Sequence, residues 1–151
     1  MQNGSAPAFA IRYDVAAGLV RITRYGPLPD EDFERYRDAL AHALEEVHAV
    51  TPAARVLVDA RGFEHLPSNS ADRLAETGKL FSPDDRIAVI LGSSVLKVEA
   101  RRIAHAESVQ HFLSENAAWT WLMAYGPSLQ AEPDRRQGYD GVAGASLGVN
   151  G

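Results

Sequence analysis

Cysteine is absent from the 151 residues, so neither a disulfide framework nor a thiolate zinc site can hold this chain together. Positive charge is also scarce: 15 Lys and Arg stand against 20 Asp and Glu. The formal charge of −5 argues against nucleic acid as a partner, because a surface that tracks phosphates needs a basic excess. No stretch approaches the roughly 20 apolar residues of a membrane span. Met1 to Pro7 lacks the basic segment and apolar run of a signal peptide. A cytoplasmic location is therefore expected. None of the five histidines, His42, His48, His65, His105 and His111, has the close spacing of metal ligands. All five are expected as surface or edge residues, and neither a metal nor a cofactor is expected.

Apolar residues, by contrast, make up 46% of the chain, enough for one core without staples. The organising stretch is Arg55 to Gly62. Its Val56, Leu57 and Val58 are apolar on both faces of a period-two repeat, which suits a central strand of a parallel sheet, and Asp59, Arg61 and Gly62 fall at its carboxyl end. Upstream, Phe9, Ile11 and Tyr13 alternate with Ala10, Arg12 and Asp14. Val20, Ile22 and Arg24 then alternate with Arg21 and Thr23. The Asp14 to Gly18 link predicts an antiparallel hairpin with an exposed tip. Asp30 is placed to cap a helix running to about His48, whose stripe is Phe33, Tyr36, Leu40, Leu44 and Val47.

Beyond Gly62, the segment Phe63 to Ser70 reads as a loop, with Ser68, Asn69 or Ser70 capping a helix that turns Leu74, Thr77 and Phe81 inward. Gly78 costs about 1 kcal/mol relative to Ala in a helix interior, so this helix is expected to be short or to end early. Ile87 to Leu91 predicts a second strand buried on both faces. Ser93 or Ser94 caps the next helix, where Leu96, Ala100 and Ile103 share a face. Val109 to Leu113 is a short last strand, and Ser114 caps a final helix with Ala118, Trp121, Leu122 and Tyr125 inward. The fold class is α/β: a single, mostly parallel sheet with an N-terminal antiparallel hairpin, in the order β-β-α-β-α-β-α-β-α. Residues 1–7 are expected as a flexible lead-in, 8–126 as the domain, and 127–151 as a Gly- and Ala-rich tail.

Five stretches carry a family resemblance: Ile11-Arg12-Tyr13-Asp14, Gly18-Leu19-Val20-Arg21-Ile22, Gly26-Pro27-Leu28 before Asp32-Phe33, Val56-Leu57-Val58-Asp59, and Phe112-Leu113-Ser114-Glu115 with Trp121-Leu122. Over roughly Phe9 to Tyr125 the chain resembles the STAS domains, the anti-sigma-factor antagonist fold, and their bacterial relatives similar to CRAL-TRIO lipid-binding domains. The resemblance implies a STAS-like sheet and regulation through a protein partner. A typical antagonist carries an Asp-Ser-Ser/Thr-Gly turn whose Ser is phosphorylated. This chain has Leu66-Pro67-Ser68-Asn69-Ser70-Ala71-Asp72 there, without the Gly or the motif. Ser68 and Ser70 remain candidate phosphosites, with helix capping as the other reading.

The remaining binding candidates are Asp59 and Arg61 at the central strand's end, and Ser93 and Ser94 at a strand-to-helix turn with Lys97, where backbone N–H groups favour anions. Asp59, Arg61, Glu64 and His65 lack a nucleophile elbow, so an ion pair or loop contact is expected and the chain is read as non-catalytic. Two functions follow: a binding or regulatory module acting through an unidentified protein partner, or a carrier or sensor of a small apolar, lipid-like ligand. The first predicts a filled core and an exposed patch, the second a long apolar cavity beneath a mobile helix. Trp119 lies about 160° from Trp121 on a helix of ~3.6 residues per turn, which predicts that the two cannot share a core. A homodimer is expected through a sheet face left uncovered at Leu57, Ile90 and Phe112 or through the final helix, with Trp119 at the interface and the tail as the other cover.

Overall fold

A computed structural model describes residues 8–104 and 106–124. Along them run β1 Phe9–Asp14, β2 Leu19–Arg24, α1 Asp30–His48, β3 Arg55–Asp59, α2 Ser70–Gly78, β4 Arg86–Ile90, α3 Ser94–Ile103, β5 Val109–Phe112 and α4 Glu115–Ala124. The five strands form one sheet in the order β1-β2-β3-β4-β5. β1 pairs antiparallel with β2 and every later pair is parallel. Right-handed crossovers between successive parallel neighbours put α1, α2 and α3 on the same face. The predicted fold class is the observed one. The two ends assigned to a lead-in and a tail, with Tyr125, lie outside the described residues.

The hairpin closes through chemistry rather than length. Gly18 adopts φ 68°, a left-handed conformation that disfavours any side chain, and the Asp14 carboxylate accepts from Ala17 N–H at 3.1 Å. The tip is exposed as expected at Asp14, Ala16 and Ala17, and only its closing glycine is covered. Gly18 is buried beneath Thr51 and its carbonyl accepts from Arg55 N–H at 2.9 Å, so the turn is pinned to the entry of β3.

Pro29, not Asp30, occupies the cap position of α1; Asp30 is the first helical residue, and Pro29's carbonyl receives Phe33 N–H at 2.8 Å. The predicted stripe is otherwise intact. Tyr36, Leu40, Leu44 and Val47 bury against Val20, Ile22, Val56 and Ile87 of the sheet. At the far end of α1, Asp85 is fully buried and binds three segments. Its carboxylate accepts from Ala54 N–H at 2.7 Å and Ser82 N–H at 2.8 Å, and meets His48 Nε2 at 3.0 Å. Nothing in the sequence singled out Asp85, and His48 was expected only as a surface or edge residue.

The opposite face is closed by the chain itself. Ala118 and Leu122 of α4 pack on Leu57, Ala88 and Ile90, with Phe112 at the edge, so the face expected to await a second subunit is occupied. Both tryptophans pack on this core, contrary to expectation. At 100° per residue, Trp119 and Trp121 lie about 80° to either side of the Ala118–Leu122 line. A helix lying on a broad sheet touches it with both flanks.

Candidate functional site

The α1 face of the sheet is not filled. Between it and α2 lies a cavity of about 500 Å³. Its floor is Ile22, Arg24, Val58, Val89 and His111, alternate residues that the pleat turns to one side. One wall is Phe33, Tyr36 and Leu40 of α1, another is Ala100 and Ile103 of α3, and α2 roofs it with Leu74, Ala75, Thr77 and Gly78. The space exists because the roof is built from small residues. Leu74 is the only large apolar side chain in α2, and it is 43% exposed. Thr77 alone of that helix is buried, so the inward packing predicted for Leu74 is not made; Ile103, expected on the buried face of α3, is 37% exposed. Polar contacts hold α2 instead. Arg73 donates to the Leu28 carbonyl and to Asp30 Oδ1, and Arg37 pairs with Glu76. Arg73 also lies over the Phe33 ring at 4.4 Å; ion pairs with a solvent-exposed partner, such as Arg73–Asp30 and Arg37–Glu76, contribute ~0–1 kcal/mol each, less than a packed apolar face.

Two titratable groups line this cavity in unusual states. Arg24 ends β2 on the same face as Val20 and Ile22, and its guanidinium lies over the rings of Tyr36 at 4.8 Å and Phe63 at 5.2 Å. Its recorded hydrogen bond to a carbonyl is a long one, 3.4 Å to Gly26, and its buried Nε has no acceptor. Burial lowers its proton affinity, Tyr36 partly opposes this, and Arg73 adds to it. Across the floor, burial pushes the His111 imidazole down to about 4, helped by Arg101 and Lys97, so the ring is neutral at physiological pH. It is buried, where the sequence had it on a surface or edge.

A second polar cluster sits on the α4 side at the carboxyl end of β3. Arg61 grips Asp59 with Nε and Nη2 at 2.9 and 2.7 Å, and reaches Glu115 at 3.4 Å. Arg21 binds Glu115 through both nitrogens at 3.1 and 3.2 Å, and Trp119 Nε1 donates to Glu115 at 3.2 Å. Hydrogen bonds from Arg61 hold the Asp59 carboxyl below its ordinary range, and those from Arg21 and Trp119 do so for Glu115. Every charge in the cluster is matched, and its effect is to fasten the start of α4 to β2 and β3.

The residues singled out from sequence do not converge. Asp59 and Arg61 pair with each other in this cluster. Ser68 is exposed in the turn before α2, and Ser70 is that helix's first residue on the cavity rim. Neither caps it: Asn69 holds the cap position without a side-chain bond. Ser93 does cap α3, its Oγ accepting from Leu96 N–H at 3.2 Å, while Ser94 is exposed. Arg24, His111 and Asp85 were missed as special. For Arg24 a signal was present, a cation in phase with the apolar face of β2. Among the described residues no three His, Cys, Asp or Glu side chains gather as a metal site, and no helix is long and apolar enough to cross a membrane.

No protein-family model and no curated protein matches the sequence. Solved structures do. An uncharacterised protein of the DUF3478 family with a SpoIIAA-like fold, from Shewanella loihica PV-4, superposes with a TM-score of 0.56 at 21% identity, over 81% of this chain and 99% of its own. An anti-sigma-factor antagonist (STAS) domain protein from Planctomyces limnophilus gives 0.55 at 16% identity, over 76% and 97%. The fold is STAS-like. Within this STAS-like frame, the three crossover helices and the cavity share one face, and α4 with its ion-pair cluster takes the other.

Proposed function

We propose that this STAS-like chain is a non-catalytic cytoplasmic binding module whose ligand is a small, largely apolar molecule held between the sheet and α2. The cavity of about 500 Å³ carries the reading. It falls inside the ~300–1,000 Å³ range of small-molecule sites, and a mostly apolar lining with a few polar groups is their usual make-up. The roof supports it further, since a helix with one buried residue, held mainly through polar contacts, opens more readily than one packed by its apolar face. Native mass spectrometry of the protein purified from its own host tests the reading together with the double variant Ala75→Trp/Val89→Phe, which narrows the chamber from roof and floor. The wild-type chain should retain a small molecule that the folded variant lacks. Retention by both, or by neither, would refute it.

A second reading, docking of a protein partner, has its own support in α3. Val95 and Val98, one turn apart, are 74% and 51% exposed. Phosphorylation at exposed Ser68 would act just ahead of the roof helix, and so would connect partner control to the cavity. A homodimer through the second sheet face would first have to displace α4.

A further inference from the structure

We propose that the cavity's ligand is an amphipathic carboxylate, an apolar chain or ring system ending in one carboxylate group, and that Arg24 takes the headgroup at the carboxyl end of β2. The inference deepens the ligand-site reading and rests on it. Among the described lining residues there is no Asp or Glu, and Arg24 belongs to none of the ion pairs. A guanidinium withdrawn from water without a carboxylate is costly, and the shortfall is visible in its Nε, buried without an acceptor. The rings of Tyr36 and Phe63 attract the cation and the Tyr36 side chain offsets part of the cost of burial, yet neither residue supplies a carboxylate's full negative charge.

The neighbouring groups do not supply the missing charge. Arg73 is itself cationic and already engaged with Asp30 and the Leu28 carbonyl. His111 is neutral. The site is therefore an apolar chamber with one uncompensated positive wall, and an anion that also carries apolar surface fits both features. A carboxylate matches the guanidinium fork through two parallel N–H···O bonds. A neutral alcohol or an amine of the same chain length gives up that contact, and the amine adds repulsion.

Titrating the full chain with dodecanoate, dodecanol and dodecylamine by isothermal calorimetry tests this, alongside Arg24→Met, whose folding is checked by circular dichroism. Dodecanoate should bind the wild type about tenfold to a hundredfold more tightly than dodecanol, the range of a hydrogen bond to a charged group. Dodecylamine should bind weakest. Arg24→Met should keep dodecanol affinity within a few fold and lose the preference for the carboxylate. Equal binding of dodecanoate and dodecanol to the wild type would overturn the headgroup assignment and leave the ligand cavity standing, as would a preference that survives in Arg24→Met. Binding of none of the three probes would overturn both. Should Arg24→Met fail to fold, the ranking on the wild type and on Arg24→Lys decides: a carboxylate preference absent from both overturns the assignment.

Discussion

Replacing Asp85 by alanine removes the acceptor shared by the end of α1, the entry of β3 and the turn before β4. Three donors lose it: Ala54 N–H, Ser82 N–H and His48 Nε2. They do not lose equally. Ala54 is 1% exposed, so its N–H stays dry and carries the full penalty of a buried unsatisfied donor, about 1–3 kcal/mol. Ser82 N–H and the His48 ring are only partly buried and can turn to water, which limits each to about 0.5–1.5 kcal/mol. The total expected for Asp85→Ala is about 2–6 kcal/mol. For a domain of this size that lowers the Tm by roughly 6–24 °C, and it moves the urea midpoint without changing the slope. Asp85→Asn keeps one carbonyl oxygen for Ala54 but turns an NH₂ group towards one of the other donors, so about half the loss is expected. Urea denaturation followed by circular dichroism measures all three proteins. A loss under 1 kcal/mol for Asp85→Ala, at an unchanged slope, would refute the claim that this carboxylate pins the fold.

Gly62→Ala should also destabilise, by about 1–3 kcal/mol, because a Cβ there would stand 2.9 Å from the Tyr25 carbonyl oxygen and 3.1 Å from that of Arg24. These are backbone atoms that cannot swing aside; an unchanged Tm would show that the loops are not in close contact. His111 makes stability depend on pH. Its folded-state pKa of about 4 lies below the ordinary 6.5, so its contribution is complete above pH 6.5, is lost as pH falls towards 4, and is gone below that. The loss is about 3 kcal/mol at most, from ~1.4 kcal/mol per pH unit, and less to the extent that water in the cavity solvates the ring. His111→Leu should flatten the fall in urea midpoint between pH 7 and pH 4.5, and parallel curves for the two proteins would refute the assignment.

Strand and helix order was legible because burial on two faces and burial on one leave different periods. Val56-Leu57-Val58 and Ile87 to Leu91 could only be central strands, and Phe33 to Val47 only one face of a helix. The cavity was not legible for a related reason: periodicity says which side chains turn inward, not whether anything meets them. Leu74 points to the sheet side and remains 43% exposed, because Ala71, Ala75 and Gly78 give α2 no bulk with which to descend. Asp85 was hidden by its position, since an Asp ahead of a strand looks like any turn residue until the fold brings Ala54 and His48 to it. The tryptophan argument failed on an assumption about shape: about 160° of separation excludes a shared narrow seam, not the two edges of a helix lying flat.

Energetics bears on whether the chamber is a site or a packing defect. The chamber opens to solvent on one side, so without a ligand it fills with water. Water is a poor filling, because it needs two to four polar partners and the lining offers few beyond Arg24, Thr77, His111 and the rim. Collapse of α2 is opposed by its contacts to α1, through Arg73 and Arg37, and would leave Arg24 more deeply buried and still without a carboxylate. A ligand resolves all three difficulties at once: it fills the space, spares the water and neutralises the cation. It would also stabilise the fold by about 2.7 kcal/mol at a hundredfold excess over its Kd, so the loose roof and the unpaired arginine, each a defect alone, together describe a domain completed by what it binds.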